Sequence, residues 1–233
     1  MSVRTSTLLG ITAAAAISAS PLHAQSDADD GLTLSGSYRI RYELLEGQHR
    51  PALPPRDDAM TMQTSIVADY RTGPWHLSAE LLDARGYLID APGAVSTGEV
   101  NALELSRASI SYRDGPVELT AGRLHLNLGS RRLAARNAFR NTINSFTGLR
   151  LDWHGKRDGT LTAFYVLPHT RLPSARAEVI DNRVRWDRES FDLAFWGAHY
   201  TRPDLFDGIT LQANVFGLSE RDGDNGPTRN RHL

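Results

Sequence analysis

Strict alternation of apolar and polar residues over a dozen positions is the feature that most limits the folds open to this chain. In residues 32–44 every second position is polar, and the set between them is largely apolar: Leu34, Tyr38, Ile40, Tyr42 and Leu44. A period of two indicates a β-strand, and a dozen residues exceed the usual length of a strand in a soluble domain. Residues 61–71 repeat the pattern. The sequence therefore predicts an all-β fold built from long strands.

Nine strands are predicted in all, and the segments that connect them alternate between short and long. The other seven candidates lie at 75–87, 102–113, 116–129, 146–155, 159–168, 190–201 and 208–219. Turns such as 70–74 and 112–116 are tight, whereas the polar segments 46–60, 88–101, 130–145 and 168–189 are long. Outer-membrane barrels have this asymmetry, with short periplasmic turns and longer outer loops. We therefore predict an antiparallel transmembrane β-barrel of the outer-membrane type over residues 32–233.

Aromatic residues near the strand ends support the barrel, because such barrels carry aromatic girdles at both membrane interfaces. The residues concerned are Tyr38, Tyr42, Tyr70, Trp75, Tyr112, Trp153, Tyr165 and Phe191. A soluble β-sandwich also alternates apolar and polar residues, and a secreted carbohydrate-binding sandwich is the alternative fold. Within 117–128 the apolar set changes sides at Gly122, where we expect a β-bulge.

The number of strands predicts that the barrel is incomplete. Nine is odd, whereas single-chain bacterial barrels close with an even number of strands. A half-barrel alone leaves two open edges, whose hydrogen-bonding groups have no partner in lipid. We therefore expect the chain to be the N-terminal part of a longer barrel.

The first 24 residues are predicted to be a signal peptide. Arg4 provides a positive start, residues 8–19 form a short alanine-rich apolar run, and Ala24 suits cleavage before Gln25. The run is too short to span a bilayer as a helix. Residues 25–31 then form a short periplasmic leader. The chain has no cysteine, so the exported protein must be stabilised by its sheet or by a surrounding membrane rather than by disulfides.

Positive charge is concentrated in residues 119–151, which contain six arginines and no Asp or Glu. Without Arg4 the mature chain has 25 basic side chains (26 minus one) against 27 acidic ones, so the concentration is local. This balance argues against a general nucleic-acid-binding protein. Lys156 is the only lysine, and the guanidinium group of arginine pairs with a carboxylate or phosphate in a bidentate way that an ammonium group cannot. The stretch therefore predicts a basic loop over a sheet, facing a polyanion.

Arginines at inward strand positions extend this basic surface. They are Arg39, Arg41, Arg71, Arg107, Arg113, Arg123 and Arg150, and Glu43, Asp69 and Asp152 are expected to hold the guanidinium groups in place. We also expect residues 130–141 to fold inward and narrow the channel. A polymer path must bind well enough to admit its substrate and weakly enough to release it. The predicted binding residues are Arg39, Arg41, Arg123, Arg131, Arg132, Arg136, Arg140, Asn141 and Arg150.

Two other interpretations of the arginines stay open at this point. Loop arginines on the outer surface can bind lipopolysaccharide phosphates, and arginines that line a barrel can pair with acids in a purely structural role. His125, Asn127 and Ser130 are the residue types of some barrel phospholipases, but closeness in sequence is not catalytic geometry. The histidines lack metal-ligand spacing, and the chain has no glycine-rich phosphate loop. We predict a channel without catalytic activity, metal or cofactor.

Three short motifs resemble the core of the alginate export family of outer-membrane porins. They are Gly122-Arg123, residues 129–133 (GSRRL) and residues 136–141 (RNAFRN). Membership implies an 18-stranded barrel with an arginine-rich constriction that passes a polyuronate, of which this chain covers about half. The partners so implied are an anionic polysaccharide, outer-membrane lipid and lipopolysaccharide, and periplasmic export components, with no nucleic acid. A general or small-anion porin is the alternative function.

Overall fold

The computed structural model describes residues 13–18, 30–46, 56–89, 93, 97–137, 139–206 and 208–221, with the backbone alone for residues 13–18. The strands are β1 (Ala13–Ser18), β2 (Gly31–Glu46), β3 (Arg56–Thr72), β4 (Trp75–Tyr87), β5 (Asn101–Asp114), β6 (Val117–Leu124), β7 (Phe146–His154), β8 (Thr160–Thr170), β9 (Arg188–Glu189), β10 (Leu193–Phe206) and β11 (Ile209–Glu220). One α-helix, α1 (Arg176–Ile180), and 3-10 turns at Thr97–Glu99 and Lys156–Asp158 complete the described elements.

The strands form one antiparallel sheet in which neighbours in sequence are neighbours in space. The order runs from β1 to β8 and continues with β10 and β11, while the short β9 pairs with the end of β8. All nine predicted strands are present, and β2 and β3 reach 16 and 17 residues. The predicted all-β, antiparallel fold with long strands is therefore confirmed.

The sheet is open, because within the described part of the chain β1 and β11 each pair on one side only. This arrangement is consistent with an incomplete barrel of the outer-membrane type. β1 lies inside the predicted signal peptide and pairs with the edge of β2 over Ala13–Ser18. Most of the predicted leader (residues 25–29), the loop residues 47–55 and the end of the chain (222–233) lie outside the described residues.

No helix among the described residues is both long enough and apolar enough to cross a membrane.

One face of the sheet is apolar and exposed. Register places small and large apolar residues side by side across neighbouring strands, as in the row formed by Leu34, Ala68 and Ala79. The exposed large residues include Leu32, Tyr38, Tyr42, Ile66, Tyr70, Trp75, Leu77, Ile110, Tyr112, Leu119, Leu149, Leu151, Trp153 and Tyr165. The two packed sheets of a soluble sandwich are not formed by the described strands. Such a face suits a lipid environment, which needs apolar side chains on the outside of the wall.

The opposite face of the sheet is largely polar near the short turns that join β5 to β6 and β7 to β8. The hydroxyls of Ser111 and Thr120 bond each other at 2.8 Å, and Thr162 Oγ1 donates to Asp152 Oδ1 at 2.5 Å. Towards the other end this face becomes apolar over β6 to β10, where Phe146, Phe164, Val166 and Phe195 form a buried cluster. The inner face is apolar here because the connection between β6 and β7 packs on it and excludes water.

The bulge predicted at Gly122 is wrong. Gly122 pairs with Ser109 on one side and with Gly148 on the other, without a shift in register. Its φ is +111°, and a Cβ on it would come within 2.4 Å of the Ala108 carbonyl oxygen. Glycine is required because the neighbouring backbone approaches too closely for a side chain. The irregularities lie between β4 and β5 and between β10 and β11 instead.

Candidate functional site

The segment between β6 and β7 (residues 125–145, called the basic loop below) folds onto the polar face of the sheet. Ile143 packs against Leu82 and Ala84 in a small buried cluster. Ser145 Oγ donates to the Ser106 carbonyl at 2.8 Å, and Thr142 Oγ1 donates to the carbonyl of Gly98 at 2.5 Å. The loop is thus folded inward, as the sequence predicted.

Asn141 fixes the end of the basic loop. Its Nδ2 lies within hydrogen-bonding distance of three carbonyls, those of Met62 (3.0 Å), Arg85 (3.2 Å) and Glu99 (2.8 Å). Gln63 Nε2 donates to the Asn141 carbonyl at 2.6 Å, and the side chain of Asn141 is buried at 1% exposure. Asn141 was predicted to bind substrate. Its side-chain amide instead bonds carbonyls inside the protein and positions the loop.

Glu80 on β4 is the buried acid that receives the middle of the basic loop. Arg136 Nη2 donates to its carboxylate, Ser65 Oγ donates to Oε1 at 2.6 Å, and Arg107 Nη2 lies 4.0 Å from Oε2. Only 2% of the Glu80 surface is exposed. The predicted site did not include Glu80, although it occupies an inward polar position in the alternating run 75–87, which was the available signal.

His125 lies against the same carboxylate, with Nδ1 3.7 Å from Glu80 Oε2. Burial lowers the pKa of His125 well below its ordinary value. The imidazole is therefore neutral at pH 7, and Arg136 and Arg107 are the cations that balance Glu80.

Arg39 and Arg41 project from β2 to the tip of the basic loop. Arg39 Nη2 donates to the Arg140 carbonyl and Arg41 Nη2 donates to the Phe139 carbonyl, both at 2.8 Å. The Arg41 guanidinium also lies 5.2 Å from the centroid of the Phe139 ring, within the range of a cation–π contact. Arg41 Nη1 reaches Glu43 at 3.2 Å, as expected. These two arginines hold the loop against β2.

Arg123 and Arg150 are engaged in ion pairs. Arg123 Nη1 donates to the buried carboxylate of Glu104, and its Nη2 lies 2.7 Å from His169 Nδ1. Arg150 Nε donates to Asp152 Oδ2 at 2.6 Å, which is the pairing expected of that acid. The predicted role of Asp69 differs, because its carboxylate bonds His76 and Ser78 rather than an arginine.

Three predicted arginines keep exposed side chains without an ion pair to the described residues: Arg131, Arg132 and Arg140. Arg131 and Arg132 line an open pocket of about 570 Å³ together with Asn127, Leu133, Ala135, Arg136, Asn137, Phe139 and Asn144. The described lining thus includes three arginines and three asparagines and contains no acid, although the Arg136 guanidinium pairs with Glu80 and the Asn144 amide bonds Arg171 and the Ala135 carbonyl. Guanidinium groups suit carboxylates, and amides suit hydroxyls. The pocket can therefore receive an acidic sugar.

The three residues of the phospholipase interpretation do not act together. Asn127 Oδ1 accepts a hydrogen bond from the Arg136 amide at 3.0 Å, His125 faces Glu80, and Ser130 is exposed. No hydrogen bond links them in the part of the chain that the structure describes. Among those same residues, no group of His, Asp and Glu side chains forms a metal site.

Comparison with known proteins identifies the family. A family model described as alginate export matches residues 30–232. The chain belongs to the alginate export family. This family consists of outer-membrane porins with a role in polysaccharide export. No curated protein and no solved structure matches the chain significantly.

In this alginate export protein the motif residues 129–141 form the turn and tip of the basic loop. Gly129 and Arg131 adopt positive φ angles of 52° and 60°, and Ala134 is buried in the apolar cluster on the inner face. Ala138 lies outside the described residues. The motif thus divides into residues that turn and anchor the loop and residues that stay exposed.

Proposed function

We propose that this protein is an outer-membrane channel that passes an anionic polysaccharide of the uronate type, without chemical reaction, and that the exposed arginines of the basic loop contact the polymer. The protein reaches the outer membrane after cleavage of the signal peptide and works with lipopolysaccharide around it and periplasmic export components beneath it. The family, the long strands with an apolar outer face, and the inward-folded basic loop support this proposal.

The pocket beside Arg131 and Arg132 is the observation that carries the proposal. A polyuronate presents one carboxylate and several hydroxyls on each sugar, and the pocket combines guanidinium groups with amides. Arg136 is paired with Glu80, but the described lining lacks an acid, so no side chain of the pocket neutralises Arg131 and Arg132. The local potential therefore attracts a polyanion.

The arginines of the proposed site divide into two groups with different tasks. Arg39, Arg41 and Arg123 bond protein carbonyls or carboxylates and so hold the wall and the loop in place. Arg131 and Arg132 are exposed, where water and salt weaken each contact. Weak, repeated contacts of this kind let a polymer bind and still move on.

The test is the affinity of the full-length protein, refolded in detergent, for a labelled oligouronate at low salt. The double substitution Arg131→Glu/Arg132→Glu is expected to lower the affinity at least tenfold, because hydrogen bonds to charged groups contribute about 1.5–3 kcal/mol each. Ser130→Ala, a change without charge at an exposed position of the same loop outside the pocket lining, serves as the control and should leave the affinity unaltered. Equal affinity in wild type and the double variant would remove the loop from the mechanism.

Two competitors separate the related functions. If the site recognises sugar acids, chloride should displace the oligouronate only at the high salt concentrations that screen all charges. In a small-anion porin, chloride should compete at low concentration. Lipid A in mixed micelles would compete strongly only if the same arginines bind lipopolysaccharide phosphates.

A further inference from the structure

A second segment also folds across the sheet. It is the connection between β8 and β9 (residues 171–187, called the strap below), which contains α1. The strap leaves the end of β8, reaches the ends of β4 and β5, and returns to pair with β8 through β9. Val179 within it is fully buried.

The strap docks beside the first part of β5, which β6 does not pair with. β6 accompanies β5 only from Ala108 onward, and Val184 forms a parallel bridge with Ala102 in the unaccompanied part. Next to this bridge, the side-chain amide of Asn182 bonds both backbone groups of Gly86, as a neighbouring strand would. Its Oδ1 accepts from the Gly86 amide, and its Nδ2 donates to the Gly86 carbonyl, both at 2.7 Å. The docking thus combines these polar contacts with the buried side chain of Val179.

Asp187 is the central contact of the docked strap. Its Oδ1 accepts from the Leu172 amide at 2.8 Å and its Oδ2 accepts from Asn101 Nδ2 at 3.0 Å. Its own amide donates to Glu104 Oε2 at 2.7 Å. Both acids are buried, so a negative charge on Asp187 lies in a site of low polarity beside another carboxylate.

Two arginines and a histidine complete the surroundings of Asp187. Arg123 is paired with Glu104 and lies 3.4 Å from the Asp187 carbonyl, while His169 contacts Arg123. Arg171 is the cation whose charge favours ionised Asp187. The same Arg171 donates from Nη2 to Asn144 Oδ1 at 2.8 Å, so the strap is tied directly to the basic loop.

We propose that the strap is a pH-dependent closure, docked on β4 and β5 when Asp187 is protonated and released when Asp187 is ionised, and that its release loosens the basic loop around Asn144 by removing the Arg171–Asn144 contact. The contacts of Asp187, Asn182 and Val184 support the proposed movement of the strap. Its effect on polymer binding rests on the proposed function.

The direction follows from the burial of Asp187. Burial raises the pKa of this carboxyl to about 6, and the neighbouring Glu104 adds to the rise, while the Leu172 amide, Arg171 and Asn101 oppose it. In the released strap the pKa returns to its ordinary value of 3.8. Docking is therefore strongest below that value and weakens as the pH rises through 6. The two values allow a change of at most about a hundredfold in the ratio of released to docked strap.

The chain has no cysteine, so a single Val179→Cys thiol in the full-length protein reports release through its labelling rate. With the rate at each pH divided by that of the denatured protein, labelling is expected to rise by up to about a hundredfold between pH 4 and pH 8. Asp187→Asn in the same background should remove this dependence. A flat profile, a fall with pH, or an unchanged profile in the Asn variant overturns the proposal.

Hydrogen exchange on the unsubstituted protein provides the same test without altering the packing. Peptides covering residues 171–187 should lose protection, corrected for the intrinsic rate, as the pH rises from 5 to 8, while peptides from the middle of β8 keep theirs. Equal behaviour of the two regions contradicts the proposal.

Oligouronate affinity, measured over the same pH range, tests the link to the basic loop. A pH-dependent affinity that becomes constant in Asp187→Asn supports the link, and a constant affinity in a strap that moves overturns it. A protein that binds no oligouronate at any pH contradicts the proposed function, while the labelling and exchange results still decide the movement.

Discussion

Arg131 and Arg136 are five residues apart in the basic loop, yet their surroundings differ completely. Arg136 donates to the buried carboxylate of Glu80, whereas Arg131 is exposed beside an open pocket. Composition and charge marked the arginine cluster but could not separate these roles, because Glu80 is 56 positions away from Arg136 in sequence. Whether an arginine anchors or binds depends on an acid that only the folded sheet brings near it.

At this scale we predict that Glu80→Gln destabilises the protein by roughly 3–5 kcal/mol, because it leaves two arginines beside a site that no longer carries a charge. Adding Arg136→Gln should recover part of the loss, with a coupling free energy of about 1–3 kcal/mol in a double-mutant cycle. Urea unfolding in detergent gives the free energy of unfolding of the three variants that the cycle needs: Glu80→Gln, Arg136→Gln and the double variant.

Glu118→Gln is the matched control for that cycle. Its partner Arg113 is exposed, although their atoms approach to 2.6 Å, so the same change should cost less than about 1 kcal/mol. Equal costs at Glu80 and Glu118 would mean that Glu80 does not anchor the loop.

Strands and loops were predictable from the sequence to different degrees. Alternation is a local signal, so all nine predicted strands are found, although β3 begins earlier, at Arg56, β6 ends earlier, at Leu124, and β10 continues further, to Phe206. The inward fold of the basic loop was expected, but the contacts that hold it were not, since residues such as Asn141 and Met62 are 79 positions apart and their contact has no local signature. The docked strap was not predicted for the same reason. The prediction of a bulge at Gly122 was wrong, because glycine is needed there for the close approach of the Ala108 backbone and not to accommodate an extra residue.

We predict that Gly122→Ala destabilises the sheet by roughly 2–4 kcal/mol, since the new Cβ meets the Ala108 carbonyl oxygen and φ is positive. Gly115→Ala is the control, because its φ of +54° is also positive but a Cβ there would meet open space, so that about 1 kcal/mol is expected. Thermal unfolding followed by the mobility of unheated and heated samples on gels compares the two. A similar loss in both would remove the steric argument.

The whole molecule is an open sheet with two unlike faces. Its outer face carries exposed leucines, isoleucines and aromatic residues, while the other face holds polar side chains, the basic loop and the strap. The proposed channel function requires the apolar face to contact lipid and the polar face to line a water-filled passage. The alternation of residues predicted this division, and the chain's membership of the alginate export family agrees with it.

Spin labels on single cysteines in lipid vesicles test this requirement most directly, at neighbouring positions on opposite faces. Ile110 and Leu149 lie on the exposed apolar face, and Ser109 and Arg150 are their neighbours on the other. We predict that labels at Ile110 and Leu149 collide mainly with oxygen, which concentrates in lipid, and that labels at Ser109 and Arg150 collide mainly with a water-soluble nickel complex. The same preference at all four positions, or the reverse order, would contradict the account.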